Sequence, residues 1–117
     1  MKKFAKTHEW INTENGEVGI TENAIEQLGD IVFLELPEAG KEVTKDSPIA
    51  VVESVKAASD IYSPVSGNIL EKNEDLENEP EGLNEKPTSW LFKIEPAQVG
   101  ELEDLLNEEQ YLKEIEN

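Results

Sequence analysis

Lys56 is the residue of this sequence with the clearest chemistry. It lies in Glu53-Ser54-Val55-Lys56-Ala57-Ala58-Ser59-Asp60-Ile61-Tyr62-Ser63-Pro64-Val65-Ser66-Gly67, after an apolar run over residues 49–52 and before a second apolar pair, Ile61-Tyr62. A lysine amine on a four-carbon stem is well suited to acylation once deprotonated. Its neighbours Val55 and Ala57 leave an enzyme room to grasp the backbone. Other chemistry is thin. The chain has no cysteine, which excludes a disulfide framework, a thiolate zinc site and a catalytic thiol. Any sulfur chemistry must therefore come from a cofactor. His8 is the only histidine, and a metal site needs several ligands, so no metal is expected and His8 is read as structural. Ser54, Ser59, Ser63 and Ser66 have no base arranged for them beyond His8, so they are not nucleophiles.

The elements that must position Lys56 read as short strands. Asn15-Gly16 between Trp10-Ile11 and Val18-Gly19-Ile20 predicts a hairpin, since both turn residues tolerate positive φ. Residues 21–28 predict a short helix with Asn23 as its cap, Glu26 three residues on, and Gly29 as its stop. Residues 31–36 are β-branched and aromatic and stop at Pro37. Val43, residues 49–55, Ile61-Tyr62 and Ile69-Leu70 predict further strands, which places Lys56 near a hairpin tip. The acidic stretch 71–86 contains Pro80 and Gly82 and reads as a loop. Residues 90–94 predict the last strand, with Trp10 and Trp90 in or near the core. Residues 101–116 are helical in pattern, with Leu102, Leu105 and Leu106 on one face. The stripe slips to Leu112 and Ile115, so Asn107 is expected to break it. Many short strands with turns every 8 to 12 residues indicate a mainly β fold, a sandwich or barrel.

Bulk properties narrow the function. A length of 117 residues fits one domain. Twenty-seven acidic against 10 basic residues give a net charge of −17. That charge disfavours nucleic acid and anionic membranes. It suits a soluble protein that meets partners with basic docking surfaces. Met1-Lys2-Lys3-Phe4 is not followed by an apolar stretch, so no secretory signal is expected, and a cytoplasmic location is the default. No apolar run approaches the 18 residues of a membrane span.

The motif Glu-Ser-Val-Lys-Ala at 53–57, followed by Ser59-Asp60 and Ser63-Pro64-Val65-Ser66-Gly67, resembles that of the glycine cleavage system H proteins, a family of lipoyl carriers. Thr7-His8-Glu9-Trp10, Val18-Gly19-Ile20-Thr21, Gln27-Leu28-Gly29-Asp30-Ile31-Val32-Phe33, Leu36-Pro37 with Gly40, and residues 90–94 carry the resemblance from about residue 4 to residue 112. Biotin carriers usually have methionines beside the lysine, and lipoyl domains of 2-oxo-acid dehydrogenases have Asp-Lys-Ala; neither is present.

The resemblance implies a lipoyl-domain-like β-sandwich or flattened barrel of the hybrid hammerhead type. It has a short internal helix and a C-terminal helical segment over about residues 97–116. It implies lipoic acid in amide linkage to Lys56, with Glu53, Ser54, Val55 and Ala57 recognised by a lipoate ligase or an octanoyl/lipoyl transferase. It further implies a non-catalytic carrier, expected to be a monomer, that serves three enzymes. A pyridoxal-phosphate glycine decarboxylase loads an aminomethyl group, a folate-dependent aminomethyltransferase unloads it, and a flavin-containing dihydrolipoamide dehydrogenase reoxidises the dithiol. By position Thr7, Glu9 and Asp60 match residues that line the cleft into which the loaded arm folds. Carboxylates at two of these positions can hold an ammonium by charge-assisted hydrogen bonds.

The chain departs from the family pattern before Trp90, where Asn84 and Pro87 are followed by Thr88-Ser89 in a segment about two residues short. The shortened segment is expected on the cleft rim. Asp46 stands where a turn glycine is common, and Asp tolerates such angles. These departures leave two alternatives: a relay that donates lipoyl groups to 2-oxo-acid dehydrogenase domains, or an unmodified interaction module of the same fold. A stand-alone enzyme finds no catalytic constellation to support it.

Overall fold

The computed structural model describes residues 1–115. In chain order its elements are β1 (Lys2–Phe4), β2 (Glu9–Asn12), β3 (Glu17–Ile20), α1 (Glu22–Leu28), β4 (Ile31–Glu35), β5 (Glu42–Val43), β6 (Pro48–Ser54), β7 (Ala58–Tyr62), β8 (Gly67–Lys72), α2 (Glu74–Asn78), α3 (Gly82–Glu85), β9 (Phe92–Pro96), α4 (Gly100–Glu103) and α5 (Glu108–Ile115). Strands β1-β2-β3-β9-β8-β5 form one sheet and β4-β6-β7 a second. Every pairing is antiparallel.

Alternation along the strands puts Ile11, Val18, Ile69, Phe92 and Ile94 of the larger sheet inward. Ile31, Leu34, Val52 and Ile61 of the smaller sheet meet them in one buried cluster. The body measures 37 × 36 × 21 Å, the flattened sandwich expected of the fold.

Several local features differ from the sequence reading. Helix α1 is capped by Thr21, whose Oγ1 accepts from the Ala24 N–H at 3.3 Å, and not by Asn23. Thr21 is extended (ψ 158°) and its N–H donates to the His8 carbonyl, so the helix can only start after it. Residues 71–86 are not a plain loop. Helix α2 buries Leu76 and α3 buries Leu83, and these two apolar contacts outweigh the polar composition. Glu77 of α2 accepts the Leu36 N–H at 2.8 Å, and Lys72 Nζ bridges Glu38 and Glu77 at 2.7 Å each. The last strand begins at Phe92. Before it, Asn73 takes the Trp90 carbonyl with its side-chain amide and the Leu91 carbonyl with its backbone N–H. Strand β1 was not read from the sequence.

The C-terminal segment does break at Asn107. Its Oδ1 accepts from the Gln110 N–H while Gln110 Oε1 accepts from the Asn107 N–H, a reciprocal cap at 2.8 and 2.9 Å. The stripe in α5 is not the expected one: Tyr111 is buried and Leu112 is exposed. Residue 116, expected to end the helical segment, lies outside the described residues.

Candidate functional site

Lys56 stands in the turn between β6 and β7, and every residue from Val55 to Asp60 is exposed. The turn is closed by the Ser54 N–H donating to the Ala57 carbonyl at 2.7 Å. Ser54 Oγ accepts from the N–H groups of Ala57 and Lys56 at 3.1 and 3.3 Å. A second segment braces the tip, because the Val55 N–H donates to the Asp30 carbonyl at 3.0 Å. Asn84 of α3 fixes that segment, accepting the Ile31 N–H at 2.8 Å and donating to the Gly29 carbonyl at 2.9 Å. Gly29 has φ +84°, a conformation that disfavours side chains. Lys56 Cε lies 3.6 Å from where a Cβ on Gly29 would be, so the lysine stem passes over this glycine.

Beside the hairpin lies a cleft of about 260 Å³. Its walls include the apolar Ile20, Ala24, Leu28, Val52 and Ile61, and Thr7, His8, Glu9, Gln27, Ser59 and Asp60 complete it. The structure thus brings Thr7, Glu9 and Asp60 together at one cleft. Ser59 is three residues from Lys56, roughly 10 Å along an extended strand. A cofactor amide-linked to the lysine, as the resemblance implies, would with its stem be on the order of 10–15 Å long and would span that distance.

Glu9 is 2% exposed. Its Oε1 accepts from the Thr7 hydroxyl and its Oε2 from the Tyr62 N–H at 3.0 Å. Among the described residues no lysine or histidine forms an ion pair with it. Burial pushes its pKa up from 4.5 to about 7, against the lowering effect of the two hydrogen bonds. A buried carboxyl facing a cleft without a cation is suited to receive one.

Glu53 is half-buried and pairs across the sheet with Phe33. Among the described residues no group of three or more His, Cys, Asp or Glu side chains is placed to hold a metal ion. No described helix is long and apolar enough to cross a membrane.

The sequence pattern described as "Glycine cleavage H-protein" matches residues 2–117. The chain belongs to the glycine cleavage H-protein family. It is 55% identical over 115 residues to the glycine cleavage system H protein of Thermotoga maritima, covering 95% of this chain and 93% of that one. It is 58% identical over 114 residues to that of Aeromonas hydrophila, covering 93% and 88%. The crystal structure of a glycine cleavage system H protein from Mycobacterium marinum superposes with a TM-score of 0.89 at 35% identity, over 99% of this chain and 97% of that one.

Seen as a member of the H-protein family, the chain has site residues that sequence reasoning missed. Tyr111 of α5 places its hydroxyl 2.7 Å from both His8 Nδ1 and Thr21 Oγ1. His8 has φ +78° and lies between Thr7 and Glu9, so this distant tyrosine anchors the turn that carries two cleft residues. Nothing in the local sequence signals a contact between positions 103 residues apart. The structure also corrects the expected place of the segment before Trp90, the cleft rim. Pro87 and Thr88 line a separate groove against α5 and are absent from the cleft lining.

Proposed function

We propose that the chain is the lipoyl-bearing aminomethyl carrier of glycine cleavage, with lipoic acid in amide linkage to Lys56 Nζ. The observation that carries this reading is an exposed lysine at a braced hairpin tip, within arm's length of a cleft that holds a buried carboxyl lacking a cation. Attached there, the cofactor would supply a disulfide that opens so that one sulfur can carry the aminomethyl group while the other becomes a thiol.

The chain's own residues do the rest. Lys56 tethers the arm and converts a dilute encounter into a local concentration of order mM. Ile20, Ala24, Leu28, Val52 and Ile61 give the cleft apolar walls that suit a hydrocarbon arm and keep water out. Glu9 holds the cargo ammonium, with Thr7 orienting its carboxylate and Asp60 adding negative charge at the cleft. No acid or base of this chain takes part in bond-making. Glu53, Ser54, Val55 and Ala57 present Lys56 to a lipoate ligase or an octanoyl/lipoyl transferase. The partners are a glycine decarboxylase, an aminomethyltransferase and a dihydrolipoamide dehydrogenase. The whole chain acts as a single carrier domain, a monomer of the cytoplasm. The relay alternative gains no support from the shortened segment, which lies away from the cleft.

Intact-protein mass with peptide mapping tests the attachment, on protein from cells supplied with lipoate. A lipoyl increment on Lys56 that disappears in Lys56→Ala is expected. An unmodified Lys56 in cells that lipoylate other proteins sinks the reading.

A further inference from the structure

Val32 and Phe33 are consecutive strand residues, and both are exposed, at 56% and 43%. Alternation would bury one of them. A β-bulge prevents this. Ile31 pairs with Ser54 and Phe33 with Glu53, so Val32 is an extra residue on β4. Bulges re-aim side chains and recur beside functional sites. This one lies beside the lysine tip, and Val55, 68% exposed, adds a third apolar side chain at the tip itself. Asp30 and Val55 are joined by a backbone hydrogen bond, so both pieces move as one. Exposed Asp30 and Glu35, with half-buried Glu53, lie along the same two strands and give the apolar trio an acidic edge.

We propose that Val32, Phe33 and Val55 form the docking surface for the enzyme that acylates Lys56, a partner with an apolar hollow edged by Lys or Arg. The inference rests on the Lys56 reading above. Reach selects this occupant. An acylating enzyme must bring its acyl donor within roughly 3 Å of Nζ, at the end of a stem only about 6 Å long. Its footprint must therefore centre on the tip. A standard interface covers about 800 Å² per partner, a disc of roughly 16 Å radius. Phe33 pairs with Glu53, three residues from Lys56, and so lies roughly 10 Å away, well inside that disc. Enzymes of the carrier cycle meet the far end of an arm on the order of 10–15 Å long and need not cover its root. Interface cores favour aromatic and apolar side chains, with Arg among the enriched partners.

The test is acylation of the full chain by a lipoate ligase with ATP and lipoate, comparing wild type with Val32→Thr/Phe33→Thr. Threonine is β-branched and suits a strand position. The expected result is a KM raised tenfold or more, worth about 1.4 kcal/mol, with kcat within twofold. Once driven to full lipoylation, the variant should load aminomethyl groups from a glycine decarboxylase at the wild-type rate. An unchanged acylation KM overturns the inference while leaving Lys56 as the attachment point. So does slowed loading with normal acylation, which would hand the surface to a cycle enzyme. Wild-type chain that is never acylated overturns both readings. If the double variant does not fold, Val32→Thr alone, at the bulged and more exposed of the two positions, reads out the same KM.

Discussion

The lysine tip and the cleft beside it are built in opposite ways. The tip around Lys56 is a single run of chain, exposed from Val55 to Asp60, with the N–H groups of Val55, Lys56 and Ala57 bonded to Asp30 or within the turn. The cleft is assembled from the turn after β1, from β2, β3 and α1, and from β6 and β7. At its heart it buries a carboxyl that, among the described residues, is ion-paired with no lysine or histidine. Handling by other enzymes demands exposure, and an exposed turn contributes little to the core. Receiving a charged cargo demands a desolvated partner, which costs stability while the cleft is empty. The tip should therefore be rich in function and poor in stability, and the cleft should trade one against the other.

Glu9 gives the largest break of that contrast. Its carboxyl, raised by burial to about 7 from 4.5, keeps a proton in the folded protein that the unfolded chain has already released. Between these values the folded state binds more protons, so stability falls as pH rises. The contribution is whole below 4.5 and lost as pH passes about 7, a swing of about 3 kcal/mol. Glu9→Gln removes the ionisation, so its stability relative to wild type should grow by about that amount between pH 4 and pH 8 in denaturant titrations. Parallel pH profiles for the two proteins would sink the idea. In the loaded carrier the same substitution should act the other way. Loss of a charge-assisted hydrogen bond of about 1.5–3 kcal/mol should speed hydrolytic loss of the aminomethyl group roughly 10- to 100-fold.

Tyr111→Phe sharpens the comparison from the far side of the cleft. Its ring stacks on Phe4 at 4.9 Å and should stay, while the hydroxyl shared with His8 and Thr21 is lost. An expected cost of about 1–3 kcal/mol lowers Tm by several degrees. The turn through Thr7 and Glu9 should loosen, and the loaded arm should lose protection, while acylation of Lys56 keeps its wild-type KM. A variant that impairs both ends equally would show that Tyr111 supports the fold in general and not the cleft.

The same contrast explains what could be read in advance. The hairpin before β3, the strands flanking Lys56 and the break at Asn107 are local events, set by turn residues and alternation within a few positions. They were legible. The exposed position of Lys56 was too, because the strands and small residues around it set a turn within a few positions. Thr21 lost to Asn23 in the reading because Asn23 with Glu26 fits the capping pattern better. The hydrogen bond from Thr21 N–H to the His8 carbonyl decides otherwise. Helices α2 and α3 were hidden because one buried leucine each, with the Glu77 and Asn84 hydrogen bonds, holds them against an acidic composition. The bulge at Val32 was hidden for a related reason: only pairing with β6 shows which residue is the extra one.

Ser54→Ala carries the smallest stability effect and inverts the balance seen at Glu9. Ser54 Oγ is the acceptor for the Ala57 and Lys56 N–H groups, and its removal leaves both in reach of water. Water replaces such bonds almost fully, so the loss should be about 0.5 kcal/mol or less. The turn nevertheless becomes less ordered before it meets the acylating enzyme. Fixing even one residue's backbone costs about 1–2 kcal/mol, so the KM for acylation should rise roughly 5- to 30-fold, with kcat nearly unchanged. A melting curve and an acylation titration on the same sample read both quantities. A Tm within about two degrees of wild type beside a raised KM would show that the tip's order serves presentation of Lys56. A large fall in Tm would mean that the hairpin is part of the structural core after all, and that tip and cleft are not the opposites drawn here.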